Sequence, residues 1–157
     1  MPQPSTSRHL AHLPAFGSQP IVFLTATTDS RQRLLDNTTA HGILHNLWET
    51  STERNGWFVG DYVLMPEHIH LFVRASQTAI PMREWIKLWK SMSARELCQQ
   101  GLATAPVWQA DYFDRYLRTA ESYAEKWAYV RDNPVRAGLV KTAEEWPYQG
   151  RIHVLSA

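Results

Sequence analysis

The sequence predicts an α+β fold: a β-α-β-β-α-β sandwich with an antiparallel sheet, followed by one extra helix. Three observations lead there. Short apolar runs rich in β-branched residues are bounded by turn signals, as strands are. Two stretches with helical apolar spacing separate those runs. The two central runs are joined too closely for a crossover, so they must form an antiparallel hairpin.

Each element follows in order. Residues 1–18 are rich in Pro, Ser, Gln and His and read as a flexible arm. Ile21 to Thr27 is a β-branched run and the first strand. Leu34 to Glu49 carries helical spacing through Leu34, Leu35, Ile43, Leu44, Leu47 and Trp48. Asn55-Gly56 is a turn signal, and Trp57 to Leu64 follows as a second strand. Pro66 interrupts, and Ile69 to Ala75 is the third. Pro81 suits a helix start, and Met82, Trp85, Ile86 and Trp89 at i, i+3, i+4 and i+7 form one apolar face. Val107 to Leu117 contains a fourth strand. A last helix runs from about Ala120, capped by Thr119, to Asn133, where Pro134 stops it. The order is the split βαβ pattern of a ferredoxin-like sandwich. Residues 19–148 form the single domain and 149–157 a tail.

Composition narrows the class. A chain of 157 residues is one domain with room for a sizeable core, and seven tryptophans and 44% hydrophobic content argue against disorder. The single cysteine, Cys98, excludes an internal disulfide and a cysteine-based zinc site. No apolar run is long enough to span a bilayer and no leader is evident, so a soluble cytoplasmic protein without a membrane partner is expected. A net charge of +1 does not announce a nucleic-acid binder, so any such reading rests on where the basic residues sit.

The chemistry-bearing segment is Met65-Pro66-Glu67-His68-Ile69-His70-Leu71-Phe72-Val73. In a strand, His68 and His70 share a face with Cα atoms roughly 6.5–7 Å apart, close enough to converge on one cation. Neutral imidazole is the commonest protein ligand for divalent metals, yet alone the pair reads equally as two polar residues on a half-exposed strand. On the last helix, Tyr123, Trp127 and Val130 make the core stripe. Tyr129 lies off it, with Asn133 one turn further along. A carboxamide oxygen is an acceptable weak ligand for Mg²⁺ or Mn²⁺. A phenol near a held cation suits phosphodiester transesterification, in which one phosphoester replaces another and the step stays reversible. Tyr116 and Tyr123 are the rival phenols, one in or near a strand without an i+4 ligand, the other in the core stripe.

With these segments in view, the chain resembles the REP-associated tyrosine transposases, of the IS200-like single-tyrosine HUH superfamily. The likeness runs over about residues 20–148. It is carried by Met65-Pro-Glu-His-Ile-His70, Val107-Trp-Gln, Phe113-Asp-Arg, Leu117-Arg118, Tyr129-Val-Arg-Asp-Asn-Pro-Val-Arg-Ala-Gly-Leu-Val140 and Trp146-Pro147-Tyr148. It implies Tyr129 as nucleophile, His68 and His70 as metal ligands and Asn133 as a third. It also implies single-stranded or hairpin DNA as substrate, joined through a 5′-phosphotyrosine. A monomer with its tyrosine acting in cis is implied, a homodimer being the alternative. A hairpin binder that no longer cuts and a water-using phosphodiesterase are the competing functions.

Basic residues complete the expectation. Lys87, Lys90 and Arg95 flank the second helix's apolar stripe and are either a solvated face or a phosphate track. Arg115, Arg118, Arg131 and Arg136 surround the tyrosine segment as candidate phosphate contacts. Trp85 and Trp89 read as core rather than base-stacking platforms. His41 and His45, spaced i, i+4 but without the glutamate of the zincin pattern, read as surface residues.

Overall fold

The structure, a computed structural model, describes residues 16–155. Residues 1–15 of the expected arm and the last two of the tail lie outside the described residues. Strands β1 (Ile21–Thr27), β2 (Trp57–Leu64), β3 (His68–Ala75), β4 (Phe113–Leu117) and β5 (Gln149–Arg151) form one sheet in the order β4-β1-β3-β2-β5. All neighbours are antiparallel. The first four strands carry the order of the expected sandwich. The fifth is a correction to the tail: Gln149–Arg151 pairs with Asp61–Val63. At the other end, Phe16, assigned to the arm, is buried and packs edge-on against Phe58.

Helices α1 (Thr38–Asn55) and α2 (Met82–Gln99) cover one face. Helix α1 starts later than its apolar spacing suggests. The amides of Leu34 and Leu35 are drawn to the Pro66 carbonyl, at 2.9 and 3.1 Å, instead of entering the helix. Asn37 then caps it, its side chain accepting from the Ala40 amide at 2.8 Å. It also ends later, at Gly56 with φ 78°, a left-handed turn where a Cβ would lie 2.6 Å from Ser76 Oγ. Ile69, Leu71 and Val73 of β3 face this layer with Val22, Leu24 and Ala26 of β1. Trp85 and Trp89 are fully embedded there, as the spacing predicts; Trp85 stacks on Trp57 at 5.0 Å and donates its indole N–H to Ser51 Oγ.

Helix α3 (Ala120–Arg131) lies on the opposite face. Thr119 caps it, accepting from the Ser122 amide. The helix breaks at Asp132, ahead of the expected stop, and Asn133 opens a short helix α4 (Asn133–Arg136). Pro134 sits in the first turn of α4, where its missing N–H leaves nothing unpaired, so it starts a helix rather than ending one. Strand alternation turns His68, His70 and Phe72 toward α3, beside Phe23, Thr25 and Thr27 of β1. Phe23, Phe72, Tyr123, Val130 and Trp146 form the core of this second layer.

Candidate active site

The histidines sit where β1 and β3 pair, Thr27 opposite His68 and Thr25 opposite His70. Their ring centroids are 4.8 Å apart. Nδ1 of His68 lies 2.7 Å from Glu67 Oε1, and Nδ1 of His70 lies 2.8 Å from Thr25 Oγ1. An ionised carboxylate only accepts, so His68 carries its proton on Nδ1 and presents the Nε2 lone pair. Burial, opposed by Glu67 and reinforced by Arg31, lowers the His68 pKa. Burial pushes His70 further, to about 3, with His68, Lys126 and Arg136 adding repulsion. Both rings are therefore neutral at physiological pH, the form that binds a metal. Among the described residues no three His, Cys, Asp or Glu side chains cluster as a metal cage. The pair fits a divalent ion only with a third donor of another kind.

Helix α3 supplies the rest. Tyr123 stacks on Phe72 at 4.6 Å and donates its hydroxyl to Asp61 Oδ2 at 2.7 Å. Burial raises its pKa well above the ordinary phenol value, so this rival is a committed core group. Lys126 holds its ammonium 4.8 Å above the Phe23 ring, and Phe23 in turn stacks on His70 at 5.3 Å. Tyr129 is 61% exposed and lines an open cleft of about 480 Å³ with Arg115, Tyr116, Arg118 and Lys126. The guanidinium of Arg136 lies over the Tyr129 ring, 3.9 Å from its centroid, and donates to Asn133 Oδ1. Arg136 thus links the phenol, the carboxamide and, through its charge, His70. Tyr116 is as exposed as Tyr129, but it pairs with Val22, whose side chain belongs to the opposite face.

The predicted basic residues divide. Arg115 stands opposite Phe23 on the histidine face, and Arg118 joins it in the cleft. Arg131 is turned to Glu144 at 2.8 Å. Lys87 and Arg95 are exposed on α2, on the far side of the sheet. Lys90 is buried, its ammonium donating to the carbonyls of Gln109 and Asp111 at 2.8 and 2.9 Å. It fastens a loop and has no free face for a phosphate. His41 and His45 are also corrected: both are half-buried, with His41 Nε2 2.7 Å and His45 Nδ1 2.9 Å from the Tyr62 hydroxyl. Sequence reasoning missed Thr25, Glu67, Arg31 and Lys126. Glu67 and Lys126 were findable as chain neighbours of His68 and Tyr129, whereas Thr25 and Arg31 arrive from other segments.

The fold is an antiparallel α+β sandwich that carries a histidine pair on one face of its sheet and an exposed tyrosine on the helix covering that face. Residues 20–133 match the family described as Transposase IS200 like, and the chain belongs to that family. It is 22% identical to the REP-associated tyrosine transposase of Escherichia coli K12 over 80% of this chain and 73% of that one. It is 26% identical to a Haemophilus influenzae relative assigned to the same class, covering 54% of this chain and 53% of that protein. Among solved structures, a REP-associated tyrosine transposase bound to a REP hairpin superposes with a TM-score of 0.70 at 21% identity, over 83% of this chain and 75% of the other. That likeness supports the fold. Among the described residues no helix is long and apolar enough to cross a membrane.

Proposed function

We propose that this transposase cleaves and rejoins single-stranded DNA at REP-like hairpins through a 5′-phosphotyrosine on Tyr129. The observation that carries the reading is the exposed Tyr129 phenol, held beside Arg136 and Asn133 on the layer that covers His68 and His70. In the reaction Tyr129 Oη attacks phosphorus and loses its proton, the P–O3′ bond breaks, and the departing 3′-oxygen takes up a proton. Rejoining is the reverse, with the 3′-hydroxyl attacking and the phenol leaving. A divalent ion, Mg²⁺ or Mn²⁺, bound by His68 and His70 with Asn133 as third ligand, would neutralise charge on a non-bridging phosphate oxygen. Asn133 Oδ1 has a second lone pair for that part while one accepts from Arg136. The remaining N–H groups of Arg136 would meet the phosphate, joined by Arg115 and Arg118 from the cleft. Because α3 packs on its own sheet through Tyr123 and Phe72, a monomer acting in cis on nucleoid DNA is the assembly proposed.

The test incubates the protein in Mn²⁺ with a pool of hairpin oligonucleotides whose single-stranded flanks are randomised. Wild type should form an SDS-stable adduct, and Tyr129→Phe should form none while still binding hairpins. An adduct surviving that change refutes the tyrosine assignment. Cleavage with free 5′-phosphate ends in Tyr129→Phe indicates attack by water. Binding without any cleavage by wild type indicates a hairpin-recognition protein.

A further inference from the structure

The imidazole pair stands in a field of like charge. Arg31 acts on His68, and Lys126 and Arg136 act on His70, from three separate segments. Glu67 is the acid hydrogen-bonded to the pair, and it is engaged by His68. A dication entering this site alone meets repulsion, whereas a phosphate entering with it would be attracted to both.

Lys126 is the most informative of these cations. Its ammonium sits over Phe23, the ring that stacks on His70, and it lies three residues before Tyr129, one turn along the same helix face. Arg115 stands on the neighbouring strand β4, paired with Phe23 and on the histidine face. Among the described residues neither the Lys126 nor the Arg115 side chain has a hydrogen bond or an ion pair. Glu125 shares the cleft without pairing to either. Lys90 shows the contrast: this chain ties down a lysine that serves the fold, giving its ammonium two carbonyls. Lys126 is held in place by an aromatic face alone, with its donors open to the cleft.

We propose that Lys126 holds the phosphate that Tyr129 attacks, with Arg115 on the adjoining phosphate of the same strand. The inference rests on the strand-transfer reading above and adds a positioning residue to it. Lys126 also couples metal binding to DNA. In the free protein it opposes the ion, and with phosphate bound it is neutralised, so DNA and metal should bind cooperatively and to the same degree whichever arrives first.

The experiment compares wild type, Lys126→Met and Lys126→Arg, with circular dichroism and thermal melting confirming the fold of each. Single-turnover adduct formation on an oligonucleotide selected from the pool should slow roughly 10- to 100-fold in Lys126→Met, the loss of one charge-assisted contact, and largely recover in Lys126→Arg. Titrated with Mn²⁺ alone, Lys126→Met should bind the ion roughly two- to fivefold more tightly than wild type, since a repelling charge is gone. The salt slope of binding to the oligonucleotide pool should fall by about 0.7. An adduct rate equal to wild type overturns the proposal. So does a slowed rate with unchanged Mn²⁺ affinity and salt slope, which would mark Lys126 as a support for the helix. If wild type forms no adduct at all, the strand-transfer reading fails. The Mn²⁺ and salt measurements then still decide whether Lys126 grips phosphate beside the histidines.

Discussion

The two faces of the sheet are built from one set of strands, yet they serve opposite ends. The face toward α1 and α2 is sealed by Val22, Leu24, Ile69, Leu71 and Val73 against Trp48, Trp85 and Trp89. The lysine that enters it, Lys90, is buried and donates to two carbonyls. The face toward α3 is apolar only over its centre, at Phe23, Phe72, Tyr123 and Val130. Beyond Phe72 on β3 and Phe23 on β1 it turns polar, with His70, His68, Thr25 and Thr27. Among the described residues the cations above them carry no counter-ion fixed in the fold, except where Arg131 meets Glu144. Apolar packing seals one face, and the candidate site occupies the part of the other that packing leaves polar.

The sharpest break of that comparison is Trp85→Ala. Trp85 is fully buried, stacked on Trp57 and hydrogen-bonded to Ser51, so its truncation should cost about 3–5 kcal/mol in urea unfolding. Tyr129→Phe, on an exposed phenol, should leave the unfolding curve where it is. If the two changes cost the same, the division of labour between the faces is wrong.

That division was partly legible in the sequence. The period-two alternation of His68-Ile69-His70-Leu71 assigned the histidines to one face, and the helical spacing of Tyr123, Trp127 and Val130 set Tyr129 apart from the core. Both are local patterns, and local patterns survive folding. What stayed hidden depends on distant partners. The start of α1 is decided by the Pro66 carbonyl, and the burial of Lys90 by carbonyls at Gln109 and Asp111. His41 and His45 look like surface residues until β2 brings Tyr62 between them. Strand β5, with the sequence Gln-Gly-Arg, has no apolar alternation to betray it and exists because β2 offers an open edge.

Acid tests the chemical face next. His70 holds a pKa of about 3 in the folded protein against an ordinary 6.5, chiefly because it is buried. Between those values the unfolded chain binds the extra proton and the folded chain does not. Stability from this group is therefore intact above pH 6.5 and drains away as the pH falls toward 3. Unfolding free energies measured in chelator from pH 7 to pH 4 should decline less steeply in His70→Asn than in wild type. Equal slopes would mean that His70 is no more sheltered than a solvated histidine.

The smallest expected effect separates position from charge within the site. Glu67 fixes the His68 tautomer through a 2.7 Å contact while contributing little to the core. Glu67→Gln should therefore weaken Mn²⁺ binding about 10- to 100-fold, as loss of a partner that orients a ligand does, and shift stability by less than about 1 kcal/mol. The sign is opposite to that for Lys126→Met, which should tighten the same ion. Titration calorimetry on both variants without DNA reads the two directly. Glu67 and Lys126 oppose each other in charge and in proposed role: one prepares a ligand, the other weakens the hold on the ion until a phosphate arrives. If both substitutions move Mn²⁺ affinity in the same direction, the site is responding to general disruption, and neither residue has the part its geometry suggests.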